Sequence, residues 1–273
     1  VRILRQREYD NTELYSDTEQ AMVEKKARGQ TDFIEYFGKQ AAKRHKNDSK
    51  SIGVNWDRAH DLLKIFTKDK PLPFAQIDMH LIESFRDFLL KAPRGGNKSG
   101  TISQNTASTY FTLFKAALHQ AFIDSYFDVD IAAKVKGISG VESRREYLTI
   151  EELNKLAATP CEYPMLKKAA FFSALTGLRH SDIRKMTWKE LSVEGDHYRI
   201  NFTQRKTGGV EYMPISEQAY LICGEPAEPD RLVFEGLQDP SWINRPVKKW
   251  IEAAGIKKHI TFHCFRHSYA TNQ

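Results

Sequence analysis

The amino-acid sequence predicts a mainly α chain in two domains: a four-helix domain, then a helix-rich α+β domain with a small antiparallel sheet. Three observations carry this reading. The chain has 273 residues, enough for two domains of ordinary size that each bury a core. Between residue 31 and about residue 128, apolar side chains recur at three- and four-residue steps in four separate segments, which is the spacing of a helix face. From residue 147 onward helical patterning is interrupted by two alternating segments flanking Gly208 and Gly209, the pattern of a hairpin.

Residues 1–30 are polar and charged and read as a linker with a short helical lead-in that ends at Gly29. Thr31 and Asp32 are helix-start residues for FIEYFGKQAAKRH. In the second helix, Ile52, Trp56, Ala59, Leu62, Leu63 and Phe66 share one face, and Pro71 and Pro73 end it. The third places Leu81, Ile82, Phe85, Phe88 and Leu89 inward. The glycine-rich basic loop PRGGNKSG follows and reads as flexible. The fourth helix carries Tyr110, Leu113, Phe114, Ala117, Leu118 and Phe122 as its buried stripe. The first domain therefore covers 31–128. Residues 129–146, with Gly137 and Gly140, form a connector.

The second domain spans 147–273. Thr149 and Glu152 stand at capping-box spacing. One helix ends at Gly177, another begins at SDIRKM, HYRINFTQ and VEYMPI are the strands, and three helical segments close the chain.

Net charge is +6 and the pI is near 9.0, a balance that favours a polyanionic partner. Cys161, Cys223 and Cys264 are few, scattered and odd in number, which argues against a disulfide framework or a paired-cysteine zinc site. No stretch approaches the roughly 20 apolar residues of a membrane span. No signal peptide is visible, so a cytoplasmic setting is expected.

Five residues invite a chemical reading: Arg179, Asp182, Lys206, His263 and Arg266. Taken alone, each has a plain structural account. Arg179 is a surface arginine at a helix start, and Asp182 a first-turn acid favoured by the helix dipole. Lys206, beside Arg205, is a solvated basic turn. His263 and Arg266 share a helix face three residues apart. Together, two arginines, a lysine and a histidine suit a phosphodiester, because the guanidinium fork matches phosphate oxygens and stays charged. His263 and His267 are four apart, as zinc ligands on a helix can be, but Cys264 stands where the metalloprotease motif has Glu, and no third ligand is evident. No metal or other cofactor is expected.

TGLRHSDI, then a strand–turn–strand with QRKTGG, then HCFRHSYAT resembles the tyrosine recombinase (phage-type integrase) family, and is similar in wording to integrases of Bacteroidetes mobile elements. Lys206 follows Arg179 by 27 residues and His263 follows Lys206 by 57. The helical domain before them resembles the family's SAM-like core-binding domain. The resemblance covers residues 31–273. It implies that Arg179 and Arg266 clamp the scissile phosphate, that Lys206 is the general acid for the 5′ oxygen, that His263 assists proton transfer, and that Asp182 supports them. It also implies a DNA clamp. Lys43, Arg44, Lys46 and Lys50, together with Arg205 and with Asn105, Thr106 and Lys115 on the fourth helix, are then candidate DNA contacts. The partner is double-stranded DNA at attachment sites, with a tetramer on DNA in the complete protein, in a bacterial, nucleoid-associated setting.

The family's nucleophilic tyrosine stands well beyond the second arginine, whereas Gln273 lies only seven residues past Arg266. The chain is therefore expected to be truncated before its nucleophile and to bind DNA without cutting it. Tyr269, three residues after Arg266, is expected to pack on the core. A non-catalytic DNA-binding relative is the alternative, and a metal-dependent nuclease built on His263 and His267 is a third reading.

Overall fold

The computed structural model describes residues 17–47, 50–96, 99–142, 145–203 and 210–272. The chain parts into two units, Val1–Glu142 and Ser143–Gln273. No helix among the described residues is long and apolar enough to cross a membrane.

The first unit is helical. After α1 (Asp17–Gln30) come α2 (Phe33–Asn47), α3 (Lys50–Thr67), α4 (Met79–Leu89), α5 (Gln104–Ile123) and the single turn α6 (Ile131–Lys134). Capping follows the sequence: the Asp78 carboxylate accepts from Leu81 N at the start of α4, and Ser103 Oγ accepts from Thr106 N at the start of α5. The core is aromatic. Phe33 meets Phe74 and Phe114 edge to face at 5.4 and 5.7 Å, and Phe74 stacks on Tyr126 at 4.2 Å.

One expected core residue is displaced. Ile52 lies in solvent, 42% exposed, because the buried face of α3 begins instead at Gly53. That glycine sits under the His45 ring, where an added Cβ would lie 2.6 Å from Nδ1. The rest of the face stands as expected: Trp56, Ala59, Leu62 and Leu63 are buried and Phe66 packs against them.

The glycine-rich loop is closed at its base. Ile102 N donates to Ala92 O at 2.9 Å, and Arg94 Nε to Thr101 O at 2.9 Å. The segment after α6 is laid along α5 rather than left in solvent. Lys115 Nζ donates to Val135 O, Ser108 Oγ to Ile138 O and Gln104 Nε2 to Ser139 O. Asn105 grips Val141 from both sides: Nδ2 donates to Val141 O at 2.9 Å, and Oδ1 accepts from Val141 N at 2.8 Å. Residues 131–142 thus belong structurally to the helical unit.

The second unit contains α7 (Ile150–Ala158), α8 (Pro164–Thr176), α9 (His180–Ile183), β1 (Leu191–Glu194), β2 (His197–Thr203), β3 (Val210–Ile215), α10 (Glu217–Cys223), α11 (Pro240–Ala253) and α12 (Phe262–Thr271). Thr149 and Glu152 form the capping box of α7. The antiparallel sheet has the order β1-β2-β3, with Leu191 opposite Ile200 and Tyr198 opposite Ile215. The first strand was not expected. It is four residues long and turns through Gly195, at φ 59°, straight into β2. Its core packs Phe172, Phe234 and Phe265 with Ile183, Ile200, Val247 and Trp250.

Candidate functional site

Local rules deliver the first arginine. Helix α8 ends at Gly177, whose φ of 68° lies in the left-handed region that glycine enters without steric cost. Gly177 N donates to Ser173 O, and Ser173 Oγ donates to Leu178 O. Leu178 is buried, and Arg179 stands next as the N-cap of α9. Its guanidinium lies 3.9 Å from the Asp182 carboxylate, which is buried almost completely.

Helix α12 is fixed at both ends. Phe262 N donates to Asn244 Oδ1 of α11 at 3.0 Å. Thr261 N donates to Cys264 Sγ at 3.3 Å, so a cysteine takes the Glu position of a capping box. Ser268 Oγ accepts from Leu148 N, and Asn272 Nδ2 donates to Leu148 O. Phe262, Cys264, Phe265 and Ser268 point into the core, which leaves His263, Arg266 and His267 on the outer face.

Charges then gather. Burial, followed by the charge of Arg179, pulls Arg266 below its ordinary pKa, and Asp182 opposes the shift. Arg179, Arg266 and Asp182 therefore act on one another. His263 is held below the usual histidine range by burial first, then by His267, Arg266, Arg145 and Arg179. Its ring meets that of His267 edge to face, with centroids 4.6 Å apart. The arrangement is a cationic cluster around one buried carboxylate. Its fixed donors would hold a phosphate and stabilise charge developing on it.

Of the residues the sequence singled out, Arg179, Asp182, His263 and Arg266 come together. Lys206 and Arg205 lie outside the described residues, between β2 and β3. Lys43 is exposed on α2; Arg44 lies over the Trp56 ring at 5.3 Å. The side chains of Lys46 and Lys50 lie outside the described residues. Asn105 and Lys115, offered to DNA by the sequence reading, hold residues 135–141 in this structure, and the Thr106 hydroxyl is bonded to Ser103 Oγ at 2.8 Å. Tyr269 is half-buried with its ring over Gly177. It lines an apolar groove of about 590 Å³ with Ile150, Leu153, Leu175 and Ile222.

Three residues escaped the sequence reading. Asn244 anchors α12. His180 packs on Phe262 at 4.9 Å and bonds Gln238 O through Nε2. Arg145 adds a charge beside both α12 histidines. Only Arg145 left a trace in the sequence, in the basic bias of its segment. Among the described residues no group of three or more His, Cys, Asp or Glu side chains is arranged to hold a metal ion.

A helical domain followed by an α+β domain that brings two arginines and a histidine together is the layout of a phage-type integrase. Residues 32–136 match the phage integrase SAM-like domain, and residues 146–272 match the phage integrase family. The chain belongs to that family, the tyrosine recombinases.

Solved structures agree on the fold. Lambda integrase, as a dimer on a COC' core site, is 16% identical with a TM-score of 0.62, over 97% of this chain and 76% of that one. The XerH recombinase in a post-cleavage complex with a palindromic difH substrate is 17% identical with a TM-score of 0.64, over 86% and 72%. The Tn1549 transposon integrase on transposon right-end DNA is 18% identical with a TM-score of 0.64, over 88% and 86%. A search of curated proteins returns no match.

The histidines make stability depend on pH. His60, His180, His263 and His267 all sit below the ordinary value of 6.5, burial being the largest cause in each. The unfolded chain binds protons more readily there, so this stability is complete above pH ~6.5 and is lost as pH falls through the lowered folded values. The thermal midpoint should therefore be lower at pH 5.5 than at pH 7.5 when followed by circular dichroism. A flat profile would contradict the assignment.

Proposed function

We propose that this chain is the core of a site-specific DNA recombinase that clamps duplex DNA at attachment sites, in a bacterial cytoplasm. Arg179 and Arg266 hold the nonbridging oxygens of the scissile phosphate. In the transfer step a tyrosine hydroxyl forms a bond to phosphorus and the bond to the 5′ oxygen breaks. Lys206 gives that oxygen its proton, and His263 assists by taking up the proton that the tyrosine hydroxyl releases. The 3′-phosphotyrosine link keeps the bond energy for rejoining, so no ATP is needed. Two fixed guanidinium charges supply the neutralisation that a divalent ion supplies in many nucleases.

The observation that carries this reading is the neighbourhood of Arg179 and Arg266 around buried Asp182. Like charges are held close only where other forces position them, and a phosphate bound between them would relieve their repulsion. Lambda integrase has been captured as a tetramer on a Holliday junction, and self-association on DNA is part of the same proposal. Lys43 and Arg44 are the candidate phosphate contacts of the helical unit.

Tyr269 is not the nucleophile in this reading, because its ring covers Gly177 and lines the apolar groove. The 273-residue chain should bind duplex DNA with strong salt dependence and form no covalent adduct through Tyr269. A suicide substrate nicked beside the cleavage site tests this. An adduct that survives denaturation and disappears in Tyr269→Phe would overturn it, and so would a failure to bind duplex DNA at low salt.

A further inference from the structure

Beyond the Arg179–Arg266 cluster, the same face of α12 continues into a second one. Its first member is His267, one helical turn after His263, with the two rings edge to face at 4.6 Å. Its second is Arg145, which enters from the segment before α7. That segment is pinned rather than loose. Lys258 Nζ donates to Tyr147 O at 3.0 Å, Leu148 N donates to buried Ser268 Oγ at 2.8 Å, and Asn272 Nδ2 donates to Leu148 O at 3.0 Å. The backbone two and three residues after Arg145 is thereby fixed to the structure carrying the histidines.

The charges order the cluster along the face. Arg179 acts on His263, whereas Arg145 acts on both His263 and His267. Arg145 thus acts on both rings, and Arg179 on His263 alone of the two. Every charge that shifts His267 is positive. Asp182 acts at the Arg266 end, and among the described residues Arg145 forms no ion pair with a carboxylate. The far end of this face therefore carries Arg145 beside the His267 imidazole, on a segment that hydrogen bonds at Tyr147 and Leu148 hold in place.

We propose that Arg145 and His267 form a second anion subsite, which holds the backbone phosphate next to the scissile one on the same DNA strand. This rests on the recombinase reading and deepens it. A strand presents a phosphate about every 3.4 Å along the duplex axis, so a protein that grips one phosphate at a fixed site meets the next along the same face. The guanidinium of Arg145 supplies charge and a donor fork. The imidazole of His267 supplies one N–H in its neutral form and a second on protonation. Two adjacent anchors fix both the position and the direction of the strand, where one leaves it free to swivel.

The test is the salt dependence of binding to a random-sequence duplex of about 30 base pairs, since each lost phosphate contact lowers the slope of log K against log salt by about 0.9. Arg145→Gln should lower the slope by that amount and weaken binding about tenfold near 0.1 M salt, with an unchanged thermal midpoint. Arg145→Lys should restore the slope. His267→Ala should weaken binding at pH 7.5 without changing the slope. In the Arg145→Gln, Arg266→Ala double variant the two slope losses should add, because two phosphates are released.

Less-than-additive losses would place both arginines on one phosphate and overturn the second subsite. An unchanged slope in Arg145→Gln would overturn it too, as would an equal slope loss in Lys248→Gln on the outer face of α11, which would mark a general charge effect. Wild-type protein that fails to bind duplex DNA would instead sink the recombinase reading itself.

Discussion

Replacing Arg179 or Arg266 by alanine should lower strand cleavage about a thousandfold, the scale of losing a fixed donor or arginine that stabilises a phosphoryl transition state. Duplex binding should fall by no more than about tenfold, because many other phosphate contacts support it. The asymmetry follows from the site. Two guanidinium groups held beside one buried carboxylate are positioned before DNA arrives. Their interaction strengthens as charge builds on the phosphate oxygens, so they favour the transition state over the bound ground state. Single-turnover cleavage of a nicked substrate by a cleaving form of the recombinase, set beside a binding isotherm, separates the two effects. Equal losses in cleavage and binding would make these arginines simple anchors. Lysine at either position should recover little, since an ammonium lacks the planar fork.

How far the sequence reaches is instructive at particular residues. Helices α2 to α5 were legible because their cores are built from large apolar side chains at helical spacing. The exception, Ile52, arose where a glycine formed the contact. Gly53 buries backbone under His45, and a hydrophobic pattern has no mark for that. Strand β1 was missed for a related reason: four residues are too few to show alternation.

At the site, Arg179, Asp182, His263 and Arg266 were legible as residue types at intervals along two segments. Their convergence was not, because it depends on α8, α11 and α12 packing together. Asn105 and Lys115 show the opposite difficulty. A polar side chain on an exposed helix reads equally well as a ligand contact or as a brace for a neighbouring strand. Here backbone groups that would otherwise lack partners, at Val135 and Val141, recruit them. Arg145 showed only as part of a basic segment, because the backbone just after it is held at Leu148, whose N–H donates to Ser268 and whose carbonyl accepts from Asn272, more than a hundred residues away in the chain.

Gly177→Ala should be among the most damaging single substitutions outside the charged cluster. The backbone there has φ 68°, and an L-residue in that region costs about 1–2 kcal/mol relative to glycine. The new methyl also has no room. It would lie 2.6 Å from Tyr269 Cδ1 and 3.0 Å from Cε1, and overpacking of this kind typically costs about 1–3 kcal/mol. The combined loss, roughly 2–5 kcal/mol, should lower the thermal midpoint by about 5–15 °C.

Relief is partial in a diagnostic way. Gly177→Ala combined with Tyr269→Ala should recover the steric part relative to Tyr269→Ala alone, leaving only the backbone cost, so the two substitutions should couple by about 1–3 kcal/mol. Additive losses would mean that the ring does not cover the glycine. Because Arg179 follows Gly177 by two residues, the single variant should also weaken phosphate binding in protein that remains folded. Gly177→Ala in a Tyr269→Ala background should bind DNA better than Gly177→Ala alone. The glycine is thus required twice, once to end α8 and once to let Tyr269 close over the turn that presents the first arginine.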